Sequence, residues 1–210
     1  SRGSAATRIN SLGLIENVAS GQSRLEYPMI DGVVSGCPSL LLENSATNLI
    51  TYSEDFSNAA WNKVNSAGST LPNVTSNYGI SPDGSLNADR IQVSRASGAA
   101  DFSSVYKSIT TSSVNRAHSI WLKSLSGTPT ILILNNDGTY VSQQITTEWV
   151  RYELDLGVGT TTEIQLSVVG SNFVANVSES ADFLAYGAQL EEGSYPTSYI
   201  KSNSGSTTTR

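Results

Sequence analysis

The stretch EWVRYELDLG, residues 148–157, sets Val150, Tyr152, Leu154 and Leu156 against Trp149, Arg151, Glu153 and Asp155. Successive side chains of an extended chain point to opposite faces, so this alternation reads as a strand with one face in a core and the other towards water. The same period of two recurs in ADRIQVS, residues 88–94, which carries Ile91 and Val93 on one side, and in TEIQLSVVG, residues 162–170, with Ile164, Leu166 and Val168. HSIWLKSL (118–125) and TILILNN (130–136) are apolar on both faces, as central strands of stacked sheets are.

Turn chemistry separates these runs. Asp31-Gly32, Asp83-Gly84 and Asp137-Gly138 supply residues that tolerate positive φ, and SGTP at 126–129 punctuates in the same way. Nowhere is a 3.6-residue apolar period sustained, and only EDFSNAAW (54–61) has room for a brief coil. Many short strands without intervening helices imply an all-β chain, an antiparallel two-sheet β-sandwich closed as a jelly roll.

The chain has 210 residues, enough for one large domain or an ordinary domain with an extension. Residues 1–46 are expected to form an irregular N-terminal connector, because TRINSLGLIENVASGQSRLEYP (7–28) scatters its apolar residues. This segment is expected to pack on the sandwich or on a neighbouring copy and to be less stable than residues 47–203, the sandwich itself. Residues 204–210 read as a polar linker. SRGSAATR and SNSGSTTTR at the two ends are small and polar, so flanking domains in a parent chain are expected.

Only 14% of residues are charged, and Ser, Thr, Asn and Gly carry solubility instead, a surface that suits extracellular β-proteins. The formal net charge of −6, with no Lys/Arg cluster, argues against nucleic acid as a partner. No apolar run is long enough to insert in a membrane as a helix. Cys37 is the sole cysteine, which precludes an intrachain disulfide and is expected to be a buried, inert thiol.

Nothing in the sequence assembles a catalytic apparatus, so the chain reads as a non-enzyme. The only histidine, His118, lies inside a strand pattern, away from any metal-ligand spacing, and reads as a packed strand residue. Glu54 with Asp55, and Glu191 with Glu192, are adjacent acids, but neighbours on a strand face opposite ways and do not make a hydrolytic pair. GVGT at 157–160 follows a strand and opens no helix, so it reads as a turn, not a phosphate loop.

The landmarks Asn48-Leu49-Ile50, Phe56 and Trp61, followed by DGSLNADRIQV (83–93), VYKSITTSSVNRAHSIWLKSLSG (105–127), TTEWVRYELDL (146–156) and ADFLAYGAQLEEGSYPTSYI (181–200), resemble the jelly-roll carbohydrate-binding modules of families 4 and 9. The front and back stretches, CPSLLLENSATNLITYSEDFSNAAW (37–61) and GAQLEEGSYPTSYIKSNSGSTTTR (187–210), resemble a cassette of bacteriophage tail-fibre and other virion proteins. The resemblance spans nearly the whole chain. It implies a non-catalytic module that grips host-surface glycan from a virion appendage. A purely structural virion domain, acting as spacer or subunit contact, and a module appended to a polysaccharide-degrading enzyme are the alternatives. It also implies self-association, although no heptads are present.

For the ligand, Tyr78, Tyr106 and Tyr140 have polar neighbours, and Asn135, Asn136, Gln143 and Gln144 offer the paired donors and acceptors that sugar hydroxyls need. The same residue types are ordinary at strand edges and turns. Trp61, Trp121 and Trp149 are read as core residues, the alternative being indole platforms for a pyranose. The resembling modules hold a structural calcium at the sandwich edge, and Glu54 or Asp55 and Asp182 fall at the corresponding places. Carboxylate oxygens suit that ion.

Overall fold

The computed structural model describes residues 4–30 and 33–210, so the expected Asp31-Gly32 turn lies outside the described residues. The described residues contain no helix. The front of the chain makes small antiparallel ladders. β1 (Ala6–Ile9) pairs β2 (Ile15–Val18), and β3 (Leu25–Glu26) pairs β6 (Ser39–Leu40) around the hairpin of β4 (Met29–Ile30) and β5 (Val33–Val34). β7 is Thr47–Asn48. The main sheet then follows as β8 (Asn62–Asn65), β9 (Thr70–Ile80), β10 (Leu86–Ser94), β11 (Phe102–Ser124), β12 (Thr130–Asn136), β13 (Thr139–Gln144), β14 (Val150–Val169) and β15 (Ser180–Glu192). β16 (Thr208–Thr209) returns to pair β7.

The main sheet runs β13-β12-β14-β11-β15-β10-β9, entirely antiparallel, with β8 also on β11. β11 and β14 pair with each other along nearly their whole lengths and take different neighbours at each end. The first part of β11 pairs β8, and the last part of β14 pairs β12. The last part of β11, by contrast, pairs β15. The sheet therefore curls into two layers that share these two strands. One layer holds β13, β12, the end of β14, the start of β11 and β8. The other holds the start of β14, the end of β11, β15, β10 and β9.

The bend falls where register slips, between Thr110 and Val114 and between Arg116 and Ala117. Extra residues in one strand of a pair bend it and increase its twist. Gly157 on the partner strand adopts φ +62° at the same place. Arg116 is fully buried there, its guanidinium donating to Thr162 Oγ1 at 2.5 Å, Asn136 Oδ1 at 2.7 Å and Asp137 Oδ2 at 3.1 Å. These oxygens satisfy its two terminal nitrogens and so offset much of the cost of burying the charge, while Nε is left without a partner.

The core lies between the layers and contains the residues that alternation assigned to it, among them Ile91, Val93, Ile164, Leu166 and Val168. Phe56 and Trp61 plug one end, with ring centroids 4.8 Å apart and the indole N–H donating to Tyr52 O at 3.0 Å. EDFSNAAW forms turns and no helix; the Asp89 carboxylate accepts the backbone N–H of Phe56 at 2.8 Å. Asp137 and Gly138, both at positive φ, close the β12–β13 hairpin. His118 is fully buried, and neither ring nitrogen has a hydrogen-bond partner.

A second, smaller core sits on the outer face of the second layer. Trp121, Tyr186 and Tyr199 pack there with Ile15 of the first hairpin. Trp121 is thus a buried tryptophan, as expected, but it lies under the N-terminal segment and not between the layers. Trp149 is half-buried at the edge of this cluster. The front segment is less irregular than its sequence implied, because its ladders fold onto this aromatic face. Residues 204–210, read as a linker, include β16, and the Arg210 and Arg24 guanidiniums both bond Glu43 Oε2 at 2.6 Å. Cys37 is exposed, contrary to the expectation of a buried thiol. It lies in the loop just before β6, where no sheet covers it.

Candidate functional site

The outward face of the first layer carries the residues that strand parity leaves over once Val105, Ile164 and Leu166 are turned inward. Tyr106 on β11 stands opposite Gln165 on β14, and Ser104 stands opposite Ser167. Glu163 stands opposite Asn135 on β12, which in turn stands opposite Tyr140 on β13. One face of four neighbouring strands thus presents alternating rings and polar heads.

These side chains line a shallow groove with a cavity of about 190 Å3. Phe173, from the loop after β14, forms one wall. It meets Phe102 edge-on at 6.1 Å and Tyr140 edge-on at 5.7 Å. Such edge-to-face pairs are favourable beyond their buried area and hold the rings at fixed angles. Ser104 and Ser167 share a hydrogen bond on the floor.

The polar heads are fixed by one another. Glu163 Oε1 accepts from Ser108 Oγ at 2.9 Å, while Oε2 accepts from Asn135 Nδ2 at 3.0 Å and Gln165 Nε2 at 2.8 Å. Asn135 Oδ1 accepts the Gly138 N–H at 3.0 Å. A carboxylate that already has its donors keeps its position while leaving lone-pair capacity towards the groove. The arrangement offers aromatic surface, amide and carboxylate acceptors and phenol hydroxyls in one concavity.

The structure brings together Tyr106, Asn135 and Tyr140 of the candidates and leaves the other four elsewhere. Tyr78 lies on β9 in the other layer, with the Arg90 guanidinium 4.8 Å from its ring centroid and covering one face. Asn136 is committed to the buried Arg116 and donates to Leu156 O at 3.0 Å. Gln143 and Gln144 sit on the edge strand and donate to the backbone carbonyls of Gln144 and Thr128, each at 3.3 Å. Sequence reasoning missed Phe102, Glu163, Gln165 and Phe173. Glu163 and Gln165 were readable as the polar, outward complement of the alternation in TEIQLSVVG, whereas Phe102 is apolar and stands outside it. Phe173 lies in a loop, where no periodicity marks it.

The three acids considered for calcium each have partners of their own. Asp182 takes Arg90 through both oxygens, at 2.8 and 2.5 Å. Glu54 pairs with Lys201 at 2.6 Å and accepts the Tyr199 hydroxyl at 3.0 Å. Asp55 caps its own turn, accepting from Ser57 and Asn58. Among the described residues no three of His, Cys, Asp and Glu converge on a possible metal position.

No family model matches the chain. No curated protein does either. Among solved structures, the chain is similar to the family 11 carbohydrate-binding module of Clostridium thermocellum in complex with a β-1,3-1,4-mixed-linked tetrasaccharide, at 13% identity and TM-score 0.47, over 74% of this chain and 100% of that one. It is similar at 12% identity and TM-score 0.47 to TmCBM61 in complex with β-1,4-galactotriose, over 70% and 99%. It also aligns at 14% identity and TM-score 0.41 with tailspike protein 4 of bacteriophage CBA120, over 68% of this chain but 21% of that one. At this level of identity the fold is described by its own strand order: an antiparallel β-sandwich made from one curled sheet.

Proposed function

We propose that this chain is a non-catalytic glycan-binding module and that the groove over Tyr106, Asn135, Tyr140 and Glu163 is its recognition surface. The observation that carries this reading is the union, on one outward sheet face, of fixed aromatic rings with a carboxylate–amide network. Aromatic faces cover the C–H face of a pyranose, and the polar heads exchange hydrogen bonds with its hydroxyls. The groove is smaller than the 300–1,000 Å3 typical of a site that engulfs its ligand, which suits weak contact with one or two units of a long chain.

The resemblance of the flanking stretches to tail-fibre cassettes supports reading it as part of a virion appendage, where weak contacts to host-surface polysaccharide would gain strength through repetition. A second reading, a spacer or subunit contact, draws on the N-terminal segment. Met29, Ile30, Val33, Leu40 and Leu42 are all exposed there.

The test is a glycan array with the whole chain, followed by calorimetry with a mixed-linked gluco-tetrasaccharide, β-1,4-galactotriose and xylohexaose. Binding that is insensitive to salt and lost in Tyr106→Ala and Tyr140→Ala, with melting unchanged, is the expected result. A wild type that binds nothing on the array while sedimenting as an oligomer disproves it in favour of the subunit contact.

A further inference from the structure

We infer that a second saccharide site lies in the cleft between the N-terminal ladders and the outer face of the second layer, with Trp149 as stacking platform and Glu26 as hydroxyl acceptor. This cleft encloses about 600 Å3, within the range of a preformed ligand site. It lies against the other layer of the sandwich from the groove and shares none of its lining.

Trp149 is half-buried, and its indole N–H donates to the Ile80 carbonyl at 3.1 Å. The bond holds the ring in one orientation, so a ligand meets a platform that loses no further freedom on binding. Pro28 and the exposed Met29 supply apolar surface in the same cleft.

Glu26 faces this cleft from β3. Burial pushes its carboxyl up from the ordinary range; the Ile9 backbone hydrogen bond works against that, and the Glu43 charge adds to the upward push. A desolvated carboxylate with lone pairs to spare is stabilised by hydroxyl donors, which a sugar presents along its rim.

Both cations in the cleft have carboxylate partners, and only Arg151 Nε is left without a hydrogen bond. Arg8 is paired with Glu16. Arg151 bonds Glu153 at 2.8 Å, Ser119 Oγ at 2.8 Å and Thr197 O at 2.6 Å, and stacks on Trp121. With each cation already paired to a carboxylate and a net charge of −6 overall, the cleft favours an uncharged ligand over an anionic one. An amphipathic, neutral, hydroxyl-bearing ring satisfies all of these conditions.

The inference does not depend on the groove, and the test separates the two. The whole chain, labelled with nitrogen-15, is titrated with β-1,4-linked gluco-, xylo- and galacto-oligosaccharides while the indole N–H resonances are followed. The Trp149 resonance is expected to shift and saturate with at least one of them. Affinity read from it should fall at least tenfold in Glu26→Leu, which keeps bulk and removes the acceptor. Tyr106→Ala should leave it unchanged. A Trp149 resonance that stays still throughout, or one whose shift vanishes in Tyr106→Ala, overturns the second site, as does full affinity in a folded Glu26→Leu. Movement of Trp149 without any response in the groove sustains this site and removes the other.

Discussion

Asn48 Oδ1 accepts the backbone N–H of Leu190 at 3.2 Å, tying the strand that opens the sandwich to the last long strand of its sheet. The same oxygen accepts the Ile50 N–H at 3.0 Å, and Nδ2 donates to Ala188 O at 3.1 Å and Ile200 O at 2.9 Å. The side chain is fully buried and uses its whole hydrogen-bonding capacity. Asn48→Ala leaves buried backbone groups on separate segments unpaired, each costing about 1–3 kcal/mol. Thermal melting should fall by roughly 6 °C or more for a chain of this length. Asn48→Asp should fare little better, because a carboxylate cannot donate to Ala188 and Ile200. A melting curve that superposes on wild type for both variants contradicts this account.

His118 makes stability depend on pH. Burial, and next the Arg151 charge, depress its pKa from 6.5 to about 3. The folded chain therefore keeps a neutral ring where the unfolded chain takes up a proton. Above the unfolded value the residue imposes no proton-linked penalty. As pH falls from about 6.5 towards 3 the unfolded state binds more protons, and stability drops by up to about 1.4 kcal/mol per pH unit from this group. His118→Leu removes a buried polar ring whose nitrogens lack partners, so it should be neutral or stabilising at pH 7 and should flatten this acid limb. Denaturant titrations of both proteins at pH 7 and pH 4.5 compare the slopes; parallel losses refute the assignment.

Gly170 links packing to the groove. Its N–H donates to Asp101 O at 2.7 Å, and a methyl group on its Cα would lie 2.5 Å from the Gly98 carbonyl oxygen. The obstacle is backbone, so the turn after β14 must move away from residues 98–101. That turn carries Phe173. Gly170→Ala should destabilise by about 1–3 kcal/mol, the range for overpacking. It should also weaken glycan binding even at temperatures where the variant is fully folded. Retained affinity would show that Phe173 does not form the wall.

Trp121→Ala should cost about 3–5 kcal/mol, the range for emptying a large aromatic from a core. The loss should be felt first by the front segment, because Trp121 packs against Tyr199 at 5.5 Å and Tyr186 at 6.1 Å beneath Ile15. Limited proteolysis should then cut within residues 4–45 well before it cuts the sandwich. Cleavage that begins in β11 or β14 would show that the segment is not held by this aromatic cluster.

The strand parities were legible in the sequence, and they place the inner and outer faces of β10 and β14 correctly. What parity does not carry is which outward face is concave. Tyr78 and Tyr106 both have polar neighbours in sequence, yet one lies beneath a guanidinium on β9 and the other in the groove on β11, because the curl of the sheet depends on pairings between distant strands. The polar run between Ile109 and Asn115 interrupts the alternation where β11 crosses from one layer to the other; the chain there is extended but lacks a buried face to imprint a pattern. Asn136 was chosen for its amide, and that amide proved necessary to Arg116, whose burial no local pattern announces.

β11 carries Phe102 and Tyr106 near its start and Trp121 near its end without interruption, and β14 runs beside it in the opposite direction. Tension applied along these strands loads the rungs between them together, in shear, because antiparallel hydrogen bonds lie across the strand direction. Peeling the rungs apart one after another would require force at right angles. If the module stands between a particle and a surface it holds, the resistance of the fold to being pulled open depends on the direction of pull, and the paired length of β11 and β14 is the stiff axis.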